Sequence, residues 1–520
     1  MLLHDLLGGG SLGTTGLDDP APEGAAAGSG DGFEIRGDPD VEVCSITHDS
    51  REVARDALFC CIPGGTTDGH EYVAAARAGG ASAFLVERFV DVDGTQVRVP
   101  SVRRAIGPIA ARFSGDPSRA LTVLGVTGTN GKTTTCYFLE AIAVAAGKRA
   151  GVIGTVETRY GDVHEGLRHT TPEATELQAL FARMRAAEVD TVAMEVSSHA
   201  LDQYRVDGTR FAATCFTNLS QDHLDYHGTL DAYLAAKARL FARAFTDRAA
   251  INVATPVGRE LAAGARERGL VVITFVLADD ADDADREAPA ADVEARAVEL
   301  GARGSRFVLH DHRDASSAPV EIALPGRFNV ENALAAATTA LLRGDSMETV
   351  TAGLSRPIVV PGRMERVDND RGVEVIVDYA HTPEALRQAL AASRAIAGES
   401  GRVIVVFGCG GDRDREKRPQ MGAATRVADV AVLTSDNPRS ERAAAIAEDV
   451  IAGVGDDDDR LVVELDRRTA IRDALLVAQP GDVVLIAGKG HEQGQTANGK
   501  TLPFDDRVVA REELEALRCA

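Results

Sequence analysis

The stretch G-V-T-G-T-N-G-K-T-T-T at 125–135 follows the apolar run L-T-V-L and precedes the helical segment C-Y-F-L-E-A-I-A-V-A-A-G. Strand, glycine-rich turn and helix in that order form the context of a phosphate-binding loop. They commit this part of the chain to an α/β unit with a parallel sheet. Gly128 and Gly131 let the backbone curl, so that N–H groups around Thr129 and Asn130 converge on a phosphate. The positive end of the following helix adds to that attraction. Lys132 is placed to reach β- and γ-phosphates, and Thr133 or Thr134 to offer a hydroxyl to Mg²⁺. The strict pattern has glycine at 126, where this chain has Val126.

The 520 residues allow about three domains at roughly 150 residues each. Residues 1–118 read as a small N-terminal α/β domain, in which 8–32, rich in Gly, Ala and acidic residues, is expected to be a mobile loop. Residues 119–354 read as a central domain built on the phosphate loop, with an acidic surface loop at 278–295. After the connector R-P-I-V-V-P-G-R-M-E-R-V, residues 355–520 carry four apolar runs. They end in D-Y-A-H-T-P, G-C-G-G-D-R-D, S-D-N-P-R-S-E and G-K-G-H-E. Short apolar strands alternating with helices predict a doubly wound, Rossmann-like parallel sheet, with ligands at the carboxyl ends of its strands. The fold class is therefore α/β throughout.

Net charge is −23, which argues against nucleic acid or an anionic membrane as a partner. Six of the 56 basic residues are lysines; a high-salt cytoplasm or GC-rich coding would each account for so few. The odd count of seven scattered cysteines fits neither a disulfide framework nor a zinc site. The start, M-L-L-H-D-L-L-G-G-G, lacks a basic region ahead of its apolar stretch, and no run reaches 18 apolar residues. A soluble, cytoplasmic, monomeric protein is the expectation.

Glu195 ends the strand-like run D-T-V-A-M, where a carboxylate serving Mg²⁺ is expected. The segment C-F-T-N-L-S-Q-D-H-L-D-Y-H-G adds Asp222, His223, Asp225 and His227, with His223 the favoured metal ligand. In Y-L-A-A-K-A-R-L-F, helical spacing puts Tyr233, Lys237 and Phe241 on one face beside Leu234 and Leu240. An ammonium buried on an apolar face is costly, and this chain has few lysines to place anywhere.

Together, G-x-T-G-T-N-G-K-T-T, E-V-S-S-H, T-N-L-S-x-D-H-L-D-Y-H-G and Y-x-x-A-K-x-x-L-F resemble, in this order, the Mur ligases. These are ATP-dependent amide-bond synthetases of peptidoglycan precursors. The resemblance extends over essentially the whole chain and implies a catalytic set of Lys132, Glu195, His223 and Lys237. Lys237 would be carbamylated by CO₂ (an N6-carboxylysine) and would join Thr133, Glu195 and His223 at Mg²⁺. A neutral amine is needed for that addition, and burial favours one.

The motifs T-H-D-S-R-E-V and P-G-G-T-T-D-G-H-E-Y resemble the uridine-nucleotide part of the members that add the third residue, placing Ser50 and Gly65, Thr66 and Thr67 against UDP. H-T-T-P-E-A-T-E-L resembles their muramoyl-peptide loop, with Thr170 and Thr171 on the substrate; the family often has Asn where this chain has His169. Ser197, Gln203 and Arg205 match further substrate contacts. Asn329, Asn332, Arg363 and His381 match ATP positions, although Asn in such a stretch is equally a helix cap.

S-D-N-P-R-S-E resembles the motif of members that use meso-diaminopimelate. Asp436, Asn437, Pro438 and Arg439, with Arg413, Gly488 and Glu492, would read that amino acid. A guanidinium suits the extra carboxylate by which diaminopimelate differs from lysine. The implied reaction phosphorylates the D-glutamyl carboxylate of UDP-N-acetylmuramoyl-L-Ala-D-Glu, and the amine of diaminopimelate then attacks the acyl phosphate. The alternatives are the same chemistry with L-lysine or another amine on a different UDP-linked peptide, or a phosphate-loop binding protein without ligase activity.

Overall fold

The strand Thr122–Thr127 occupies the middle of a parallel sheet, between Thr191–Glu195 and Ala213–Phe216. The computed structural model describes residues 1–8, 32–65, 67–166, 169–278, 291–454 and 460–519. Most of the glycine-rich stretch 8–32 and the middle of the acidic stretch lie outside these residues.

Position 126, where the strict phosphate-loop pattern has glycine, is a strand interior. Val126 pairs with Glu195 on one side and Cys215 on the other and is fully buried. The loop begins after the strand, at Gly128, so a β-branched residue at 126 suits its place. The helix Lys132–Ala145 then packs against Arg327–Arg343 and Met347–Leu354 to form one face of the central core.

The central sheet is mixed, not purely parallel. Among the described residues it has eleven strands. Antiparallel additions flank the parallel middle, through Thr158–Tyr160 and Val163–Glu165 at one edge and Gly304–Asp311 and Ser316–Ile322 at the other. The expected loop at 278–295 is also shorter than read, because the strand Val293–Gly301 begins inside it with Val293 and Ala295 buried. Burial alternates along Gly304–Asp311, the pattern of a sheet covered on one face, which antiparallel strands tolerate and parallel ones rarely do.

Among the described residues the N-terminal sheet has five strands. Four are parallel, and Glu34–Arg36 is antiparallel at the edge. The helix Leu3–Leu7 inserts three leucines into its core. The third sheet places Glu374–Asp378, Val483–Ala487, Val403–Phe407 and Val430–Leu433 side by side and parallel. All four apolar runs of this region are thus strands, and their polar ends share one edge. The hairpin Gly494–Ala497 and Lys500–Pro503 stands apart from that sheet.

Cys60, Cys61, Cys136, Cys215 and Cys409 are buried thiols and Cys44 is exposed, so the interior cysteines act as small apolar residues. Among the described residues no helix is long and apolar enough to cross a membrane.

Candidate active site

The phosphate loop is held open by two glycines that nothing larger could replace. Gly131 has φ 88°, and a Cβ there would lie 2.1 Å from Asn332 Oδ1. Gly128 has φ 149°, and a Cβ would lie 1.9 Å from Thr217 Oγ1. Both positions combine a left-handed or extended-positive backbone with no room for a side chain. Gly131→Ala should therefore displace Asn332 and lower nucleotide affinity about tenfold, for one buried clash and a strained φ that together cost about 1 kcal/mol or more. Nucleotide titration by calorimetry reads this directly.

Thr129 and Asn130 are tied to the neighbouring strand end, with Thr129 N–H donating to Asn218 O at 2.9 Å and Asn130 N–H to Asn218 Oδ1 at 2.9 Å. Lys132 Nζ donates to the carbonyls of Gly128 and Thr129 at 3.0 and 2.9 Å. Burial lowers its pKa, against the pull of Glu195 and Asp222. Thr133 and Thr134 are buried at the start of the helix.

Glu195 is almost completely buried. Its Oε1 accepts from Thr133 Oγ1 at 2.9 Å and from Thr155 N–H at 2.8 Å, and its Oε2 from Thr155 Oγ1 at 3.1 Å. A hydroxyl and a carboxylate at that distance form a hard-oxygen pair that suits Mg²⁺. Among the described residues no group of three or more His, Cys, Asp or Glu could cage an ion unaided.

Lys237 is 1% exposed, which excludes a lysine reaching out to solvent. Its Nζ donates to Gly128 O at 2.7 Å and lies 4.2 Å from the centre of the Tyr233 ring. Burial, with Lys132 nearby, pushes its pKa well below the ordinary value. The predicted apolar face holds for Tyr233, Leu240 and Phe241, all buried, while Leu234 is half-buried. The helix itself stops at Ala238 and tightens into a 3₁₀ turn over Arg239–Phe241.

His223, at φ 55°, stands 4.9 Å from the His199 ring and 6.1 Å from Tyr233, centre to centre. Its pKa falls to about 3, chiefly through burial, so the imidazole is neutral and able to ligate a metal. Asp222 draws groups from the third region: His381 Nε2 at 3.8 Å and Lys417 Nζ at 3.9 Å. Burial raises its pKa, but His381, His223 and Lys417 outweigh that and hold it far below the carboxylate range. Arg413 is mostly exposed and reaches Asp225 at 4.0 Å.

A cleft opens between the phosphate loop and the third region. Asn130, Gly131, Thr133, Thr134, Asn332 and Arg363 line it together with Tyr379. Arg363 lies 3.4 Å from Thr133 Oγ1 and 4.5 Å from the Tyr379 ring centre, and its buried Nε has no protein partner. Asn329 does not line the cleft. It donates to Pro325 O at 2.8 Å and accepts from Asn332 at 3.2 Å, which orients Asn332. His381 is anchored through Nδ1 to Tyr379 O at 2.8 Å.

The residues matched to the muramoyl peptide also converge. Thr171 Oγ1 donates to Glu195 O at 2.9 Å and accepts from Ser197 N–H at 3.1 Å. Arg205 donates to Thr171 O at 3.2 Å and Gln203 Oε1 at 2.7 Å, and pairs with Glu173 at 3.0 Å. Thr170 Oγ1 lies 3.0 Å from Thr155 Oγ1. Ser50 lies in the turn after the strand Ser45–Thr47, two residues beyond His48, whose Nδ1 lies 3.0 Å from Thr175 Oγ1 of the central region. Gly65 and Thr67 lie on a separate exposed turn, and Thr66 is outside the described residues.

The amino-acid candidates form a further cluster. Pro438 leads into Arg439 at φ 53°, whose N–H donates to Thr496 O at 2.9 Å and whose guanidinium lies against Gly411 O. Asn437 and Asp436 are buried, Asn437 Nδ2 donates to Glu492 Oε2 at 2.8 Å, and Gly488 (φ 113°) passes close to Asp436.

The sequence analysis did not assign Thr155, which clamps Glu195, or Tyr379, which supports Arg363 and His381. Thr155 follows the strand Ala150–Ile153, which pairs in parallel with the Glu195 strand. Its place at a strand's carboxyl end was the available signal.

Three family profiles match the chain: a Mur ligase family catalytic domain over 42–114, a Mur ligase middle domain over 126–340 and a Mur ligase glutamate ligase domain over 362–490. The UDP-N-acetylmuramoyl-L-alanyl-D-glutamate–2,6-diaminopimelate ligase of Geobacillus kaustophilus is 44% identical over 92% of this chain and 96% of its own. That of Gloeobacter violaceus is 44% identical over 94% and 97%. A solved structure of a ligase of the same name aligns with TM-score 0.66 and 33% identity, covering 93% of this chain and 97% of that one. With a phosphate loop, a buried lysine beside it and relatives matched along nearly their whole length, this chain belongs to the Mur ligase family.

Proposed function

We infer that this chain is an ATP-dependent ligase that joins meso-2,6-diaminopimelate to UDP-N-acetylmuramoyl-L-alanyl-D-glutamate, the tripeptide step of peptidoglycan precursor synthesis. Identity of 44% to ligases of that name over almost the full length supports the reaction. The observation that carries the site is the convergence on Asp222. His381 and Lys417 from the third region and Lys132 and His223 from the central one all act on that carboxylate or its neighbours. Side chains of the third region thus reach the carboxylate beside the phosphate loop.

In this reading the cleft beside Gly131 and Arg363 holds ATP, and Lys132 draws charge from the γ-phosphoryl group as it moves to the D-glutamyl carboxylate. Thr133 and Glu195 would hold Mg²⁺, which would neutralise phosphate charge when bound. Thr170, Thr171, Ser197, Gln203 and Arg205 orient the peptide, and Ser50 with Gly65 and Thr67 takes the UDP end. The acyl phosphate must be kept from water, and the amine of diaminopimelate then displaces phosphate to give the amide. Arg439 holds the far carboxylate through two parallel hydrogen bonds. A lysine-using site would gain nothing from that guanidinium.

Phosphate release with the UDP-dipeptide should appear with meso-diaminopimelate and not with L-lysine. Arg439→Ala should raise the diaminopimelate KM by about 30-fold or more, for the loss of a charge-assisted pair, with the ATP KM unchanged. Arg439→Lys should recover little, because an ammonium cannot form the fork. Turnover with lysine, or unchanged amino-acid kinetics in Arg439→Ala, would remove Arg439 from specificity.

A further inference from the structure

Beneath the amino-acid cluster lies a buried cation with no part in the chemistry above. Lys489 is fully buried. Its Nζ lies 3.1 Å from Glu492 Oε2, 3.2 Å from Asn437 Oδ1 and 3.7 Å from Asp436 Oδ1. Asn437 Oδ1 also accepts from Thr496 N–H at 2.9 Å, and Asn437 Nδ2 donates to Glu492 at 2.8 Å. With two donors on one side and a carboxylate on the other, the amide has a single satisfiable orientation. Gln495 Nε2 donates to Asp436 O at 2.9 Å, so the hairpin after Lys489 closes over the same segment.

Lys489 is the cation that the structure sets against both carboxylates of this segment, Asp436 at 3.7 Å and Glu492 at 3.1 Å. The nearby Arg467 is paired with Asp506 at 2.7 Å and is neutral as a unit. The far end of diaminopimelate is itself balanced, with one ammonium and one carboxylate. The far end of lysine carries an ammonium alone. Without Lys489 these two carboxylates would lose the cation paired with them, and their local field would repel a carboxylate and reward a bare cation.

We propose that Lys489 is a positioning residue that sets amino-acid specificity: it fixes Asn437 and Glu492 and offsets one of the two carboxylates, so that the pocket prefers a zwitterionic far end to a lone ammonium. This rests on the diaminopimelate reading of the site. Lys489 acts through Asn437 and Glu492, and its effect belongs in amino-acid affinity rather than in phosphoryl transfer.

The test is steady-state phosphate release by the full chain with meso-diaminopimelate and with L-lysine. Lys489→Gln should raise the diaminopimelate KM about 30-fold and change kcat by less than about threefold. It should lower the preference for diaminopimelate over lysine by about tenfold or more, with the ATP KM unmoved. Lys489→Arg should restore part of the preference. Asp436→Asn, which removes a carboxylate and keeps Lys489, should move the preference the opposite way; it carries the test if Lys489→Gln does not fold. Wild-type preference in folded Lys489→Gln, or no upward shift in Asp436→Asn, would overturn the proposal alone. Absence of wild-type turnover with meso-diaminopimelate would overturn the substrate reading and this proposal together.

Discussion

Lys132→Met should keep the fold and lose ligation by about a thousandfold, the scale expected when a preorganised charge is removed from a transferring phosphoryl group. The side chain bonds only to its own loop, at the carbonyls of Gly128 and Thr129. Removing it forgoes two hydrogen bonds of about 1 kcal/mol each. Gly128 O would not be orphaned, because Lys237 donates to it as well. Methionine keeps the length of the stem, and burial already disfavours the ammonium. Turnover should therefore collapse while the thermal midpoint moves by a few degrees at most. Phosphate release and a melting curve on the same sample check both halves. Turnover within tenfold of wild type would take Lys132 out of phosphoryl transfer.

Lys237→Met separates chemistry from stability still more sharply. Among the described residues the buried amine has one hydrogen-bond acceptor, Gly128 O, one aromatic face, Tyr233, and the cation of Lys132 as a neighbour. Burying an amine so poorly matched is a net cost to folding, through desolvation or loss of its proton, and an apolar residue of similar volume should be stabilising by roughly 1–4 kcal/mol. The substitution should thus raise the thermal midpoint and lower ligation by at least about a hundredfold. The loss follows if the amine, held neutral by burial, takes up CO₂ and presents a carboxylate beside His223 and the phosphate loop. Isotope-labelled bicarbonate should give a carbamate carbon signal in the wild type and none in Lys237→Met. A wild type without that signal, or a fully active Lys237→Met, would leave the lysine a structural residue.

Much of this was legible in the sequence wherever the determinant lies within a few residues. The run to Gly128, Gly131 and Lys132 states its own strand, turn and helix, because only glycine fits the backbone those positions adopt. The four apolar runs of the third region specify parallel strands, because both faces of such a sheet are covered. The spacing of Tyr233, Lys237 and Phe241 was enough to place the lysine inside.

Other features depended on partners far away along the chain. Thr155 meets Glu195 across 40 residues, His381 and Lys417 meet Asp222 across more than 150, and Lys489 meets Asn437 across 52. Nothing local marks a threonine as the clamp of a carboxylate or a lysine as a buried counter-charge. The antiparallel flanks of the central sheet belong to the same class: alternation was present in their strands, but which edge they extend is set by packing. Sequence by itself determined the parts whose conformation a residue imposes on its own backbone. Tertiary structure alone decided which charges are buried together, because desolvation and pairing energies exist only once distant segments exclude water between them.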